Sequence, residues 1–170
     1  HGAVWDEAHT KALLLAEQQG AVYVHPFDDP LLWDGHATLI DEVVAQGVVF
    51  DAVVTSVGGG GLFAGIVEGL RRNGLQDVPV IAVETLGAES LYASVQAGQR
   101  ITLPAITSIA TSLGAKTVAQ RAFDLARAIA SPEVGFQPDG VQYGRVPALE
   151  LALGAGMHRG AAHMGPPVCS

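Results

Sequence analysis

Four consecutive glycines, Gly58-Gly59-Gly60-Gly61, are the residues of this chain best suited to chemistry. Glycine lacks a Cβ, so several backbone N–H groups can converge on one anion, and a helix that starts there adds its positive end. The run is placed for that purpose: the apolar, β-branched stretch Ala52 to Val57 precedes it and the amphipathic stretch Leu62 to Leu70 follows. Leu62 stands where a Walker A loop would carry lysine, and the G-x-G-x-x-G spacing of a dinucleotide loop is absent. The run fits a single phosphate held by backbone alone, with neither lysine nor metal. A tight βα turn that binds nothing is the alternative.

Few other side chains offer chemistry. Thr55 and Ser56 end the strand before the glycines, where a hydroxyl could reach a phosphate or simply close a strand-end hydrogen bond. Ser108 and Ser112 lack the G-x-S-x-G elbow of a serine hydrolase. His25, His36, His158 and His163 have no metal-ligand spacing with Cys169, the single cysteine, which also excludes an internal disulfide. Trp5 and Trp33 read as packing residues.

The elements that must position the loop alternate between helix and strand. A helix is expected over Glu7 to Gln19, with Ala8, Ala12, Leu15 and Ala16 on its inner face and Gly20 as its stop. A short buried strand, Ala21 to Val24, and a proline-fixed loop, His25 to Pro30, come next. A second helix, His36 to Gln46, should turn Leu39, Ile40, Val43 and Val44 to a core. Strand 52–57, helix 62–73, strand 80–83, helix Ser90 to Ala97 closed by Gly98, and helix Thr117 to Ile129 complete the pattern. The last helix carries one stripe of Val118, Ala122, Leu125, Ala126 and Ile129. Such alternation implies an α/β fold, a parallel sheet with helices on both faces, with ligands beyond the carboxyl ends of the strands.

Composition bounds the partners. The 170 residues are 49% hydrophobic and 15% charged, with a net charge of −8 and a mean hydropathy of +0.32. The acidic balance argues against nucleic acid or an anionic membrane. No apolar run reaches membrane-spanning length and no signal peptide is visible, so the cytoplasm is the expected compartment. So apolar a chain of this length reads as a fragment of a larger domain.

The ordered motifs resemble those of the serine/threonine dehydratases, within the fold-type II pyridoxal-phosphate enzymes (tryptophan synthase beta-like). The matching segments are His25-Pro26-Phe27-Asp28-Asp29-Pro30, Gly35-His36-Ala37-Thr38, and Thr55-Ser56-Val57-Gly58-Gly59-Gly60-Gly61-Leu62. They continue with Val83-Glu84-Thr85-Leu86-Gly87-Ala88-Glu89-Ser90 and with Leu103 to Lys116. The last two look closest to the L-serine dehydratase branch. The resemblance implies a parent enzyme, a homodimer, that deaminates L-serine or L-threonine to a 2-oxo acid and ammonia. A serine racemase, another β-eliminating or β-replacing relative, or a catalytically dead phosphate- or cation-binding remnant would share every motif present.

The resemblance also assigns roles. The backbone amides of Gly58, Gly59, Gly60, Gly61 and Leu62 would hold the phosphate of pyridoxal 5′-phosphate. A cation, monovalent (K+) or divalent (Mg2+ or Ca2+), would sit near the loop. Its ligands would be the Glu84 carboxylate, the Ser90 hydroxyl and the carbonyls of Gly58, Ala88, Leu113 and Ala115, a hard oxygen set. Without the resemblance, Glu84 reads as an ordinary strand-end carboxylate. No catalytic residue is expected here: Lys11 reads as a solvated helix residue and Lys116 as a structural one, and neither lies in the family's Ser-x-Lys-x-Arg-Gly-Ala context. The chain alone is therefore expected to be inactive.

In domain terms, residues 1–34 would end the family's small domain, residues 35–130 would form part of the large cofactor-binding domain, and residues 131–170 would be a divergent, irregular tail. Read one base later, codons for Leu153 to His158 permit Leu-Glu-Pro-Ala-Cys, similar to a loop at the family's C-terminus, so the tail is expected to be a frame-shifted reading.

Overall fold

The computed structural model describes residues 1–2, 4–108, 113–130 and 141–145. In chain order the elements are α1 (Trp5–Gln19), α2 (Pro30–Ala45), β1 (Val53–Ser56), α3 (Gly61–Arg72), β2 (Val80–Glu84), α4 (Ser90–Ala97), α5 (Gln120–Ala130) and β3 (Val141–Arg145). The strands form one parallel sheet in the order β1-β2-β3. Val53 pairs with Val80, and Val80 with Val141. Parallel neighbours require crossover connections, and α3 supplies the one between β1 and β2.

The core lies around α3. Phe63, Ala64, Ile66, Val67 and Leu70 are buried, joined by Val118, Ala122, Leu125 and Ala126 from the α5 region and by Val80 and Ala82 from β2. The α5 stripe expected from periodicity is thus buried at four positions; the fifth side chain, Ile129, lies outside the described residues. α2 packs on α3 across Gly65 and Gly69. A Cβ on Gly65 would stand 2.4 Å from the His36 Cβ and 2.8 Å from the Trp33 carbonyl oxygen. Gly65→Ala is expected to destabilise the chain by about 1–2 kcal/mol, because overpacking outweighs the roughly 1 kcal/mol gained in helix propensity. A urea unfolding midpoint measures it.

Five expectations change. Ala21 to Val24 forms no strand, and Val22 is 90% exposed; a strand needs a ladder partner, and none lies beside it among the described residues. α2 starts at Pro30, six residues before the expected His36. Asp29 caps it, its side chain accepting from the Leu31 N–H, and proline takes the first turn, where its missing N–H costs nothing. Of the four α2 residues expected to face a core only Ile40 is buried; Leu39 and Val44 are exposed. α1 has no buried residue, so its expected inner face, with Leu15 37% exposed, is at most half-covered. β3 falls inside the span expected to be irregular; residues 131–140 and 146–170, with the frame-shift expectation, lie outside the described residues.

Candidate phosphate and cation site

β1 delivers the glycines to the sheet's carboxyl edge. The ladder runs one residue past the strand, with Val57 N–H donating to the Val83 carbonyl at 2.8 Å. Gly60, at φ +94°, is the N-cap of α3, a conformation that a side chain would strain. Among the described residues, none of the N–H groups from Gly58 to Phe63 reaches an acceptor; the first to do so is Ala64, on the Gly60 carbonyl at 2.9 Å. The loop therefore presents a run of free donors at a helix start, which is what a phosphate requires.

The opposite side of the loop is packed. A Cβ on Gly58 would lie 1.9 Å from the Leu113 carbonyl oxygen, and one on Gly59 would lie 2.2 Å from the Phe27 ring. One on Gly61 would meet the Phe27 carbonyl at 2.7 Å. The Ala119 N–H donates to the Gly59 carbonyl at 2.8 Å, tying the loop to the start of α5. Close packing thus demands glycine at 58, 59 and 61, while the donors stay free. Leu62 is half-buried at the head of α3. Of the two hydroxyls before the loop, Thr55 is buried and donates to the Ser56 carbonyl at 3.4 Å, while Ser56 is exposed.

Beside the loop, β2 ends in a buried carboxylate. Glu84 is 3% exposed, its oxygens accepting from the N–H groups of Leu91 at 2.9 Å and Tyr92 at 2.8 Å in the first turn of α4. Burial pushes its pKa from 4.5 up to about 7, against those two bonds, which lower it. Ser90, at the same helix start, is fully buried, and its hydroxyl has no partner among the described residues. Buried polar atoms nearly always have one, so an orphaned hydroxyl beside a buried carboxylate fits an absent ligand.

The carbonyls point the same way. None of those of Gly58, Leu113 and Ala115 accepts a hydrogen bond from a described residue. The Leu113 carbonyl abuts Gly58, and a Cβ on Gly114 would lie 3.0 Å from that of Ala88. The Ala88 carbonyl differs, accepting from the Ser90 N–H at 3.0 Å. Glu84 and Ser90 thus meet at one helix start, and Gly58 and Leu113 meet at the loop. Among the described residues no three His, Cys, Asp or Glu gather to hold a metal, so a cation here would rely on neutral oxygens and a single carboxylate.

Of the two lysines, Lys11 is exposed on α1. Lys116 is half-buried ahead of α5, its carbonyl accepting from the Leu103 N–H at 2.9 Å. An open groove of about 340 Å³, lined by Pro30, Trp33, Asp34, Glu68, Arg72 and Arg121, lies elsewhere. Its cations are already paired, Arg72 with Asp34 and Asp41 and Arg121 with Glu68, so it offers an anion little unbalanced charge. The sequence did not single out Phe27 as the loop's support, nor the Leu91 and Tyr92 N–H groups as partners of Glu84; only the carboxylate's position six residues before the start of α4 bears on the latter.

Comparison with known proteins identifies the family. The chain is 54% identical over 127 residues to mouse "Serine dehydratase-like", covering 74% of this chain and 39% of that protein. It is 48% identical over 128 residues to human "L-serine dehydratase/L-threonine deaminase", covering 73% and 38%. The structure of a fungal L-serine ammonia-lyase from Rhizomucor miehei superposes with a TM-score of 0.71 at 33% identity, over 86% of this chain and 44% of that one. The chain therefore spans well under half the length of these relatives. The family described as Pyridoxal-phosphate dependent enzyme matches residues 1–140, and the chain belongs to it.

Proposed function

We propose that this chain forms the phosphate-binding and cation-binding part of an enzyme that deaminates L-serine and L-threonine to 2-oxo acids and ammonia. The observation that carries the reading is the run of free N–H donors from Gly58 to Phe63, a few residues along the sheet edge from the buried Glu84 and the unpartnered Ser90. Pyridoxal phosphate, when bound, supplies an electron sink for negative charge at the substrate α-carbon. The backbone amides of Gly58, Gly59, Gly60, Gly61 and Leu62 hold its phosphate, aided by the α3 dipole. Glu84, Ser90 and the carbonyls of Gly58, Ala88, Leu113 and Ala115 hold a K+, Mg2+ or Ca2+ ion that keeps the loop in register. Neither Lys11 nor Lys116 lies in the family's Ser-x-Lys-x-Arg-Gly-Ala context, so a lysine outside these 170 residues anchors the cofactor. The partner is a small amino acid, in the cytoplasm.

Exchanging the matched residues of this chain into the human relative tests the reading. The chimera should release pyruvate from L-serine and 2-oxobutanoate from L-threonine, while the 170-residue chain alone should release neither. A chimera that binds pyridoxal phosphate yet deaminates neither substrate would contradict it.

A further inference from the structure

The glycine loop rests on Phe27, whose ring fills the space above Gly59 and whose backbone lies against Gly61. Three hydrogen bonds set Phe27 and the residue after it. Trp33 Nε1–H donates to the Phe27 carbonyl at 2.9 Å. The N–H groups of Phe27 and Asp28 both donate to His25 Nδ1, at 3.3 Å and 2.9 Å. Asp28 in turn accepts from the Gln120 N–H at the head of α5, at 3.2 Å. The ring of His25 also meets Phe27 edge-on, with centroids 4.5 Å apart. A ring nitrogen that accepts two N–H bonds carries no proton, so this arrangement needs His25 neutral. Protonation would set a third donor against the two already there.

We propose that His25 is a positioning residue for the phosphate loop: its neutral Nδ1 holds Phe27 against Gly59, and protonation of the ring releases Phe27 and weakens anion binding at the loop. The consequence for the ligand rests on the phosphate reading of the glycines; the latch itself does not. The groups facing His25 are Trp5 and His9 of α1, at 5.3 and 5.2 Å between centroids, Tyr23 before it, and Asp28 and Asp29 after it. Burial lowers its pKa below the ordinary 6.5 and His9 lowers it further, while Asp28 and Asp29 raise it. With the folded value depressed, the contribution is complete above 6.5 and is lost as pH falls through the folded value.

The test uses the 170-residue chain and His25→Asn. Asparagine offers an oxygen to the same N–H groups two and three residues on, and does not titrate. Pyridoxine 5′-phosphate, which has no aldehyde to react with lysines, is titrated calorimetrically at about pH 8 and about pH 5.5, either side of histidine's usual range. Its own phosphate loses charge over this interval in both proteins, so the difference between them is read. Wild type should weaken at least about threefold more than the variant, a shift of the size one titrating contact produces. In parallel, exchange of the Trp33 indole N–H, identified by Trp33→Phe and expressed as protection over the intrinsic rate, should fall with pH in wild type and hold in the variant. Equal pH dependence in the two proteins overturns the proposal. Absence of ligand binding at both pH values overturns the phosphate reading and leaves the indole protection to decide the latch. Wild-type protection alone decides it should the variant fail to fold, a flat profile overturning it.

Discussion

Replacing Gly58 with alanine is expected to cost about 3 kcal/mol or more of stability and to abolish binding of pyridoxine 5′-phosphate. The new Cβ would stand 1.9 Å from the Leu113 carbonyl oxygen and 3.0 Å from its carbon. Both are backbone atoms, so no rotamer change relieves the contact, and the cost lies at or beyond the upper end of ordinary overpacking. The displaced carbonyl is itself one of the proposed cation ligands, so the damage reaches both sites. Gly35→Ala is the control. It lies within α2 with nothing within 4 Å of a built Cβ, and it should stabilise by about 0.5–1 kcal/mol through helix propensity. Urea unfolding of the two variants checks both signs. A Gly58→Ala chain with a wild-type midpoint would mean that the loop is not held as described.

Ser90→Ala carries the second large effect, and its direction is unusual for a buried substitution. The hydroxyl is fully buried and unpartnered among the described residues, so removing it without a cation present should leave stability unchanged or raise it by about 1 kcal/mol. The same change should weaken the cation about tenfold, the usual scale for a lost ligand contact of about 1.4 kcal/mol. Added potassium or magnesium chloride should therefore raise the melting temperature of wild type more than that of the variant, with tetramethylammonium chloride as the ionic-strength control. Glu84 adds a pH signature. Its folded pKa is raised to about 7, so the proton-bound form dominates below that and the favourable contribution is lost as pH rises through about 7. A cation prefers the ionised carboxylate, so its stabilising effect should grow from about pH 6 to about pH 8 and binding should release a proton. Loss of stability in Ser90→Ala regardless of cation would make the hydroxyl a packing group.

Much of this was legible in the residue order, for physical reasons. A β-branched run, four glycines and an amphipathic stretch can hardly fold except as strand, loop and helix, and β1, Gly58 to Gly60 and α3 follow that order. The α5 stripe was readable because most of its apolar residues meet α3 and the sheet. Ala21 to Val24 misled because apolar character marks a strand only when another strand supplies the ladder. Leu39 and Val44 misled likewise: periodicity shows which α2 residues are apolar, not which side has a neighbour. The start of α2 was misjudged although Asp29-Pro30 is a cap followed by a first-turn proline, because the same pair also reads as a turn. The tertiary contacts that define the site, Phe27 against Gly59 and Leu113 against Gly58, join residues more than thirty positions apart and left no trace in local spacing.

The central claim is that the free amides after β1 hold a phosphate. It is tested most directly by following the backbone amide resonances of the 170-residue chain while pyridoxine 5′-phosphate is added. Saturable shifts are expected to be largest at Gly58 to Leu62, reproduced more weakly at the same amides by inorganic phosphate. Saturation that leaves those amides unmoved and shifts the groove around Arg72 and Arg121 instead would contradict it.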